Sequence, residues 1–221
     1  ITGDLTLADA RILTNEGTID LAGDVSILDG AGDGSTLESN GTITKSAGTG
    51  TSTLAAETTT LGGSLNADSG ILEVTADTAL DTATLSGEGT LRFAGAVTGT
   101  GITQTGTGLT DFDGGIDLDA LAVDTRDVRI GAASTLDSLD VTAGTLTADG
   151  DLSVATSLSQ SGGLIAGAGT VTSNGDTTFA GGSQGGSGTT MIAEAAEATL
   201  AGDLTLADAR NLEVAGTLDV A

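Results

Sequence analysis

The segment GDLTLADAR occurs twice without a change, at residues 3–11 and 202–210. The likeness runs on without a gap. From residue 3 to residue 22, 14 of 20 positions match the residue 199 places further along. A fold that accepts the same text twice must be one that lengthens by copying. A solenoid meets that condition, because each turn buries its apolar face on a similar turn beside it. Residues 1–221 therefore read as one continuous solenoid. Residues 1–199 form one long period and residues 200–221 begin the next, as a segment of a tandem array.

A shorter unit lies inside the long one: Gly-Thr, an aliphatic residue, then alternation. It stands at residues 17–23 (GTIDLAG), 41–48 (GTITKSAG), 89–95 (GTLRFAG), 144–150 (GTLTADG), 169–175 (GTVTSNG) and 216–221 (GTLDVA). Two of these spacings, 24 and 25 residues, fall near 19 to 25, and the longer ones are near double that. Ile19 and Leu21 alternate with Thr18 and Asp20, and Leu91 and Phe93 with Thr90 and Arg92. Period-2 alternation sends one set inward and the other outward, as in a strand. Gly, Asn, Asp and Ser bound these runs and suit sharp corners. Asn15, Asn40, Asn66 and Asn174 sit at or near such corners, where stacked side chains could form a hydrogen-bonded ladder. Residues 191–200 (MIAEAAEATL) have strong helix formers, yet they lead straight into the repeated segment. They read as a strand at 190–192, a turn near Ala195 and a strand resuming at Ala198.

The expected fold is all-β: a single-stranded parallel β-helix (β-solenoid), right-handed as parallel crossovers are, with about ten coils and uncapped ends. At ~22 residues per coil and ~4.8 Å per strand, the segment makes a rod of about 50 Å, and each further period adds roughly 40 to 45 Å.

Composition narrows the function. The chain has 31 acidic and 6 basic residues, a net charge of −25. That disfavours nucleic acid, which is held by Lys and Arg, and anionic membrane surfaces. Without Cys there are no disulfides or thiolate metal sites; without His the commonest general base and transition-metal ligand is missing. Three Phe are the whole aromatic content, so Leu, Ile, Val, Ala and Thr must fill the core. No stretch approaches the ~18 apolar residues that span a bilayer.

The blocks at residues 158–182 (LSQSGGLIAGAGTVTSNGDTTFAGG), 41–74 and 13–23 (LTNEGTIDLAG) resemble the repeat blocks of very large bacterial surface proteins, similar in style to filamentous-haemagglutinin-like adhesins and autotransporter passengers. Those blocks often carry Trp where this chain has Gln160 or Phe179. The resemblance covers most of the chain, thinning between about residues 111 and 137. It implies secretion, location at the bacterial cell surface, β-helical architecture and a role as stalk, fibre or adhesin. It supplies no catalytic residues.

Three constellations invite chemistry. The densest acidic stretch, residues 111–127, places Asp111 and Asp113 on one side of a strand and Asp117 and Asp119 likewise. Such oxygen density suits Ca²⁺, but the spacing matches neither an EF-hand nor a β-roll nonapeptide. The plainer reading is solvated, outward Asp with Arg126 and Arg129 as counter-charges. Thr-x-Thr pairs at 42/44, 58/60, 82/84, 103/105, 145/147 and 170/172 could make an ice-binding ladder if they lay on one flat face. A polysaccharide-degrading β-helix needs a carboxylate pair, and with it the stacking and basic groups this chain lacks. The expectation is a non-enzymatic structural repeat module without a cofactor: a stalk, spacer or extracellular fibre whose partners are neighbouring repeats, end to end. The alternative is a carbohydrate- or Ca²⁺-dependent adhesin that meets cell-surface carbohydrate.

Overall fold

The structure is a computed structural model describing residues 1–221. It is all-β without a helix, and its parallel sheets stack as a β-solenoid of about eleven turns, one more than the sequence suggested. Two compact units are present, Ile1–Gly114 and Gly115–Ala221.

In the first unit, one column of parallel strands comprises Leu5–Leu7, Ile27–Asp29, Thr51–Leu54, Ile71–Val74, Thr90–Phe93 and Leu109–Phe112. A second sheet takes two strands from each early coil, such as Ile12–Asn15 with Thr18–Ala22, and Thr36–Ser39 with Thr42–Ala47. These pairs give way to one long strand, Thr78–Ser86, which shifts register at Asp81 and Thr82. Thr82 has a φ of 55°, and this left-handed residue breaks the alternation that the sequence suggests.

The second unit repeats the plan. One column runs through Asp127–Ile130, Thr145–Ala148, Leu164–Ala166, Ser183–Gln184 and Thr205–Leu206. The other sheet begins with the long strands Ile116–Val123, Ser134–Val141 and Leu152–Gln160, then divides into pairs that end with Asn211–Val214 and Thr217–Val220. The helix-prone segment is strand at Thr189–Ile192, turn at Glu194 and Ala195, and strand again at Glu197–Leu200, as its place before the repeat predicts.

All six Gly-Thr units behave alike: the Thr opens a strand at Thr18, Thr42, Thr90, Thr145, Thr170 and Thr217. In five of them the Gly before it lies against a neighbouring coil, whereas a Cβ on Gly17 would meet nothing within 4 Å. A Cβ on Gly41 would fall 2.1 Å from the Gly17 carbonyl oxygen, and one on Gly63 1.9 Å from that of Gly41. Only a hydrogen fits where backbones stack so closely.

The core consists of columns along the stacked coils. Ile27, Leu54, Val74, Phe93 and Phe112 are successive ladder partners, and all are wholly buried. The Phe93 and Phe112 rings stack at 5.2 Å. In the second unit Leu121, Leu139 and Leu158 continue into Thr177 and Ala198. Each buried aliphatic side chain contributes roughly 1.5–3 kcal/mol, so many similar columns substitute for one aromatic core.

The four corner Asn make no ladder with one another. Asn15 donates to Ser39 Oγ, Asn40 to Glu16, Asn66 to Asp68, and Asn174 to Ser153 Oγ. The Thr-x-Thr pairs do not form one face either. Thr42 lies beside Ser64, and Thr147 between Arg129 and Ala166.

Candidate functional site

The repeated segment folds into the same coil twice, once in each unit. Strands at Leu5–Leu7, Ile12–Asn15 and Thr18–Ala22 correspond to those at Thr205–Leu206, Asn211–Val214 and Thr217–Val220. Asp9 and Asp208, equivalent residues, both have a φ of 57°. Asp tolerates this left-handed corner better than most residues.

The two coils differ in what they pair with. The coil 3–22 is laddered to the coil that follows it: Leu5 to Ile27, Leu13 to Leu37, Ile19 to Ile43. The coil 202–221 is laddered to the coil that precedes it: Thr205 to Ser183, Leu212 to Thr190, Leu218 to Ala198. The exposed large apolar side chains follow from this. They are Ile1, Leu5, Ile12, Leu206, Val214 and Val220, and every one is in or next to these two coils.

Beside the second coil the interior turns polar. Gln160, Gln184 and Thr190 are wholly buried, and Arg210 nearly so. Gln184 Nε2 donates to Gln160 Oε1 at 3.0 Å, and Thr190 Oγ1 donates to Gln184 Oε1 at 2.7 Å. Arg210 Nη2 donates to Thr190 Oγ1 at 2.9 Å. Its Nε and Nη1 are buried without a hydrogen-bond partner, and burial holds the guanidinium below its usual pKa. Asp208 Oδ2 accepts the Gly186 N–H at 3.1 Å. Thus two residues of the unchanged segment, Asp208 and Arg210, grip the preceding coil with their side chains. Gln160 belongs to this chain of hydrogen bonds and is the ladder partner of Phe179. Both lie in one inward column, Val141, Gln160, Phe179, Leu200.

A second buried cation lies in the first unit. Lys45 is fully buried, and its ammonium donates to Asp24 Oδ1 at 2.7 Å, Gly23 O at 3.0 Å and Ala47 O at 2.8 Å. All three of its donors are met. The hydrogen bond from Lys45 holds the Asp24 carboxyl below its usual pKa.

The proposed calcium ligands are divided between the units. Asp113 accepts Arg92 Nε at 2.6 Å, and Glu73 meets Arg92 Nη1 at 3.3 Å. Asp111 is the ladder partner of Arg92. In the second unit Asp117 accepts Thr135 Oγ1 at 2.7 Å, and Asp119 is exposed. No group of three or more acidic side chains is gathered as a metal site would require. One expected counter-charge is elsewhere: Arg126 is wholly buried, its pKa pushed down to about 10 by burial. Arg129 does lie outward, 3.0 Å from Asp149.

The acidic surface has an order of its own. Within each unit, most acidic residues in the ladders have a neutral or basic partner; the exception is Asp119, which stands opposite Asp137 between the pairs Leu118–Leu136 and Ala120–Ser138. Glu38 lies between Thr14 and Thr60, Asp140 between Ala122 and Ser159, and Glu73 between Thr53 and Arg92. Asp20 neighbours Thr44, Asp176 neighbours Ser157, and Asp219 neighbours Thr199. Parallel in-register strands set ladder partners about 4.8 Å apart, where like charges destabilise.

No protein-family model matches the chain, and no curated protein or solved structure matches it.

Proposed function

We propose that this chain is a structural repeat module of a large secreted bacterial surface protein, serving as stalk, spacer or extracellular fibre and not as an enzyme. The observation that carries this reading is the repeated coil, which forms twice, 199 residues apart. A coil with that property is a place where one period joins the next. The regular ladders support a mechanical role, because each coil is held to its neighbour by backbone hydrogen bonds and aliphatic stacking. The acidic surface favours solubility and mutual repulsion of neighbouring molecules.

Small-angle scattering of the purified chain with and without a chelator tests the reading. An elongated particle, unchanged by chelation, is expected. A compact particle would defeat the spacer, and collapse on chelation would favour a Ca²⁺-dependent adhesin. Antibody labelling of intact cells checks the surface location.

A further inference from the structure

We propose that the coil 3–22 is built to seat on the coil 183–200 of a preceding period, in the register that the coil 202–221 occupies here. The inference rests on the structural-repeat reading and adds the partner surface and its register. Thr6 would lie beside Ser183, Leu7 beside Gln184, Leu13 beside Thr190 and Leu21 beside Leu200. Asp9 would accept the Gly186 N–H, and Arg11 would enter the polar interior at Gln184 and Thr190.

Three observations converge on this partner. The nine unchanged residues include Asp208 and Arg210, whose side chains bond to Gly186 and Thr190. The six positions that differ between the coils are 211, 213, 214, 215, 218 and 220. All six lie in segments joined to the preceding coil by backbone ladder, including Asn211 N to Gly188 O and Ala215 N to Ile192 O. Identity is thus kept where side chains read the neighbour. The apolar residues Leu5 and Ile12, exposed here, would gain Ser183's coil as cover.

Charge selects the mode of joining. If two separate chains met by stacking 3–22 directly on 202–221, equivalent residues would face each other. Asp4 would meet Asp203, Asp9 Asp208, Asp20 Asp219 and Arg11 Arg210. Every one is a like-charge pair, an arrangement that the ladders within the two units otherwise show only at Asp119 and Asp137. Seated on 183–200 instead, Asp20 lies between Thr199 and Thr44, both neutral. Seating on 183–200, as continuation within one chain would have it, avoids these four like-charge pairs; stacking of two equivalent coils creates all four.

The test uses the 221-residue chain and makes its last coil the same as its first. The variant carries Asn211→Ile, Glu213→Thr, Val214→Asn, Ala215→Glu, Leu218→Ile and Val220→Leu. Hydrogen exchange is read at the amides of residues 211, 215 and 217, which donate to Gly188, Ile192 and Ala196. Protection within about threefold of the parent is expected. Loss of more than about a hundredfold there, with residues 134–171 still protected, would overturn the joint while leaving the spacer reading intact. If the sixfold variant does not fold, the pair Leu218→Ile and Val220→Leu decides, and loss of protection in it overturns the proposal. Sedimentation of the parent chain tests the mode of joining: a monomer is expected at low salt and high salt, and end-to-end oligomers would overturn continuation within one chain.

Discussion

Arg11 and Arg210 hold the same place in the same nine-residue segment, yet Arg210 is buried against Thr190 while Arg11 lies open to solvent. The neighbouring coil differs, and so does the backbone just before each Arg: Ala10 has a φ of 56°, whereas its equivalent Ala209 does not have a positive φ. Arg210 has 183–200 beside it, and two of its nitrogens are buried without a partner. Such a charge is weak evidence for stability; its value lies in fixing register. Arg210→Met is therefore expected to leave the melting temperature unchanged or raise it, since the stem keeps its packing and the unpaired charge is gone. Arg210→Ala should lower stability by about 1–2 kcal/mol through the space it empties. Arg11→Met should fall within about 0.5 kcal/mol of the parent. Thermal denaturation monitored by circular dichroism checks all three, and a large loss in Arg210→Met would contradict the register argument.

Lys45 presents the opposite case, a buried cation with every donor met. Lys45→Met removes the partners of two corner carbonyls, Gly23 O and Ala47 O, as well as that of Asp24. A loss of about 1–3 kcal/mol is expected, the usual effect of leaving buried polar groups unmet. Lys45→Arg should not rescue it, because a planar fork cannot replace three converging ammonium donors. Urea denaturation of the two variants beside the parent measures the difference.

Acid should loosen the first unit at two corners. Ser35 donates through both Oγ and N–H to Asp29 Oδ1, and these bonds hold the Asp29 carboxyl below its usual 3.8. Asp24 is lowered likewise by Lys45. A carboxyl whose folded pKa is depressed adds stability above its unfolded pKa and loses it as pH falls through the folded value. The contribution is thus complete above about pH 5 and declines below 3.8. Exchange of the Ser35 amide, followed from pH 5 to pH 2, should accelerate in the parent beyond the intrinsic pH effect. In Asp29→Asn that extra acceleration should vanish; its persistence would show that another group is responsible.

The sequence reveals strands readily and interior charges poorly, and the reason is visible at particular residues. Each Gly-Thr unit announces its strand because the Gly marks the corner and the alternation marks the inward set. Lys45 occupies an inward position, between ladder partners Leu21 and Ala67. Local pattern assigns such a charge to solvent. What overrides the pattern is Asp24 together with carbonyls at a corner 22 residues away, and no short window contains them. Thr82 ends the alternation in Thr78–Ser86 by a left-handed turn of the backbone, which Thr seldom adopts. The repeated coil, by contrast, is legible at once, although which of its residues touch the preceding coil emerges only from Asp208 and Arg210 in place.

The separation of acidic residues along the ladders gives the last prediction. With 31 acidic residues and only 6 basic ones, most carboxylates have no cation to pair with, so repulsion must be limited by spacing. Asp20 and Thr44 are ladder partners on the outward side of the first unit, and Thr44 in turn neighbours Asn66. Thr44→Asp would place two carboxylates one strand spacing apart and should lower the melting temperature. Thr44→Lys at the same place supplies an opposite charge and should not. Exposed charges are screened over about 10 Å at 0.1 M salt and 3 Å at 1 M. The gap between the two variants should therefore be widest near 10 mM NaCl and narrow strongly at 1 M. Melting curves of parent, Thr44→Asp and Thr44→Lys across that range provide the measurement. A gap independent of salt would mean that the Thr44 hydroxyl or its β-branch matters, and that charge spacing does not explain the ladder composition.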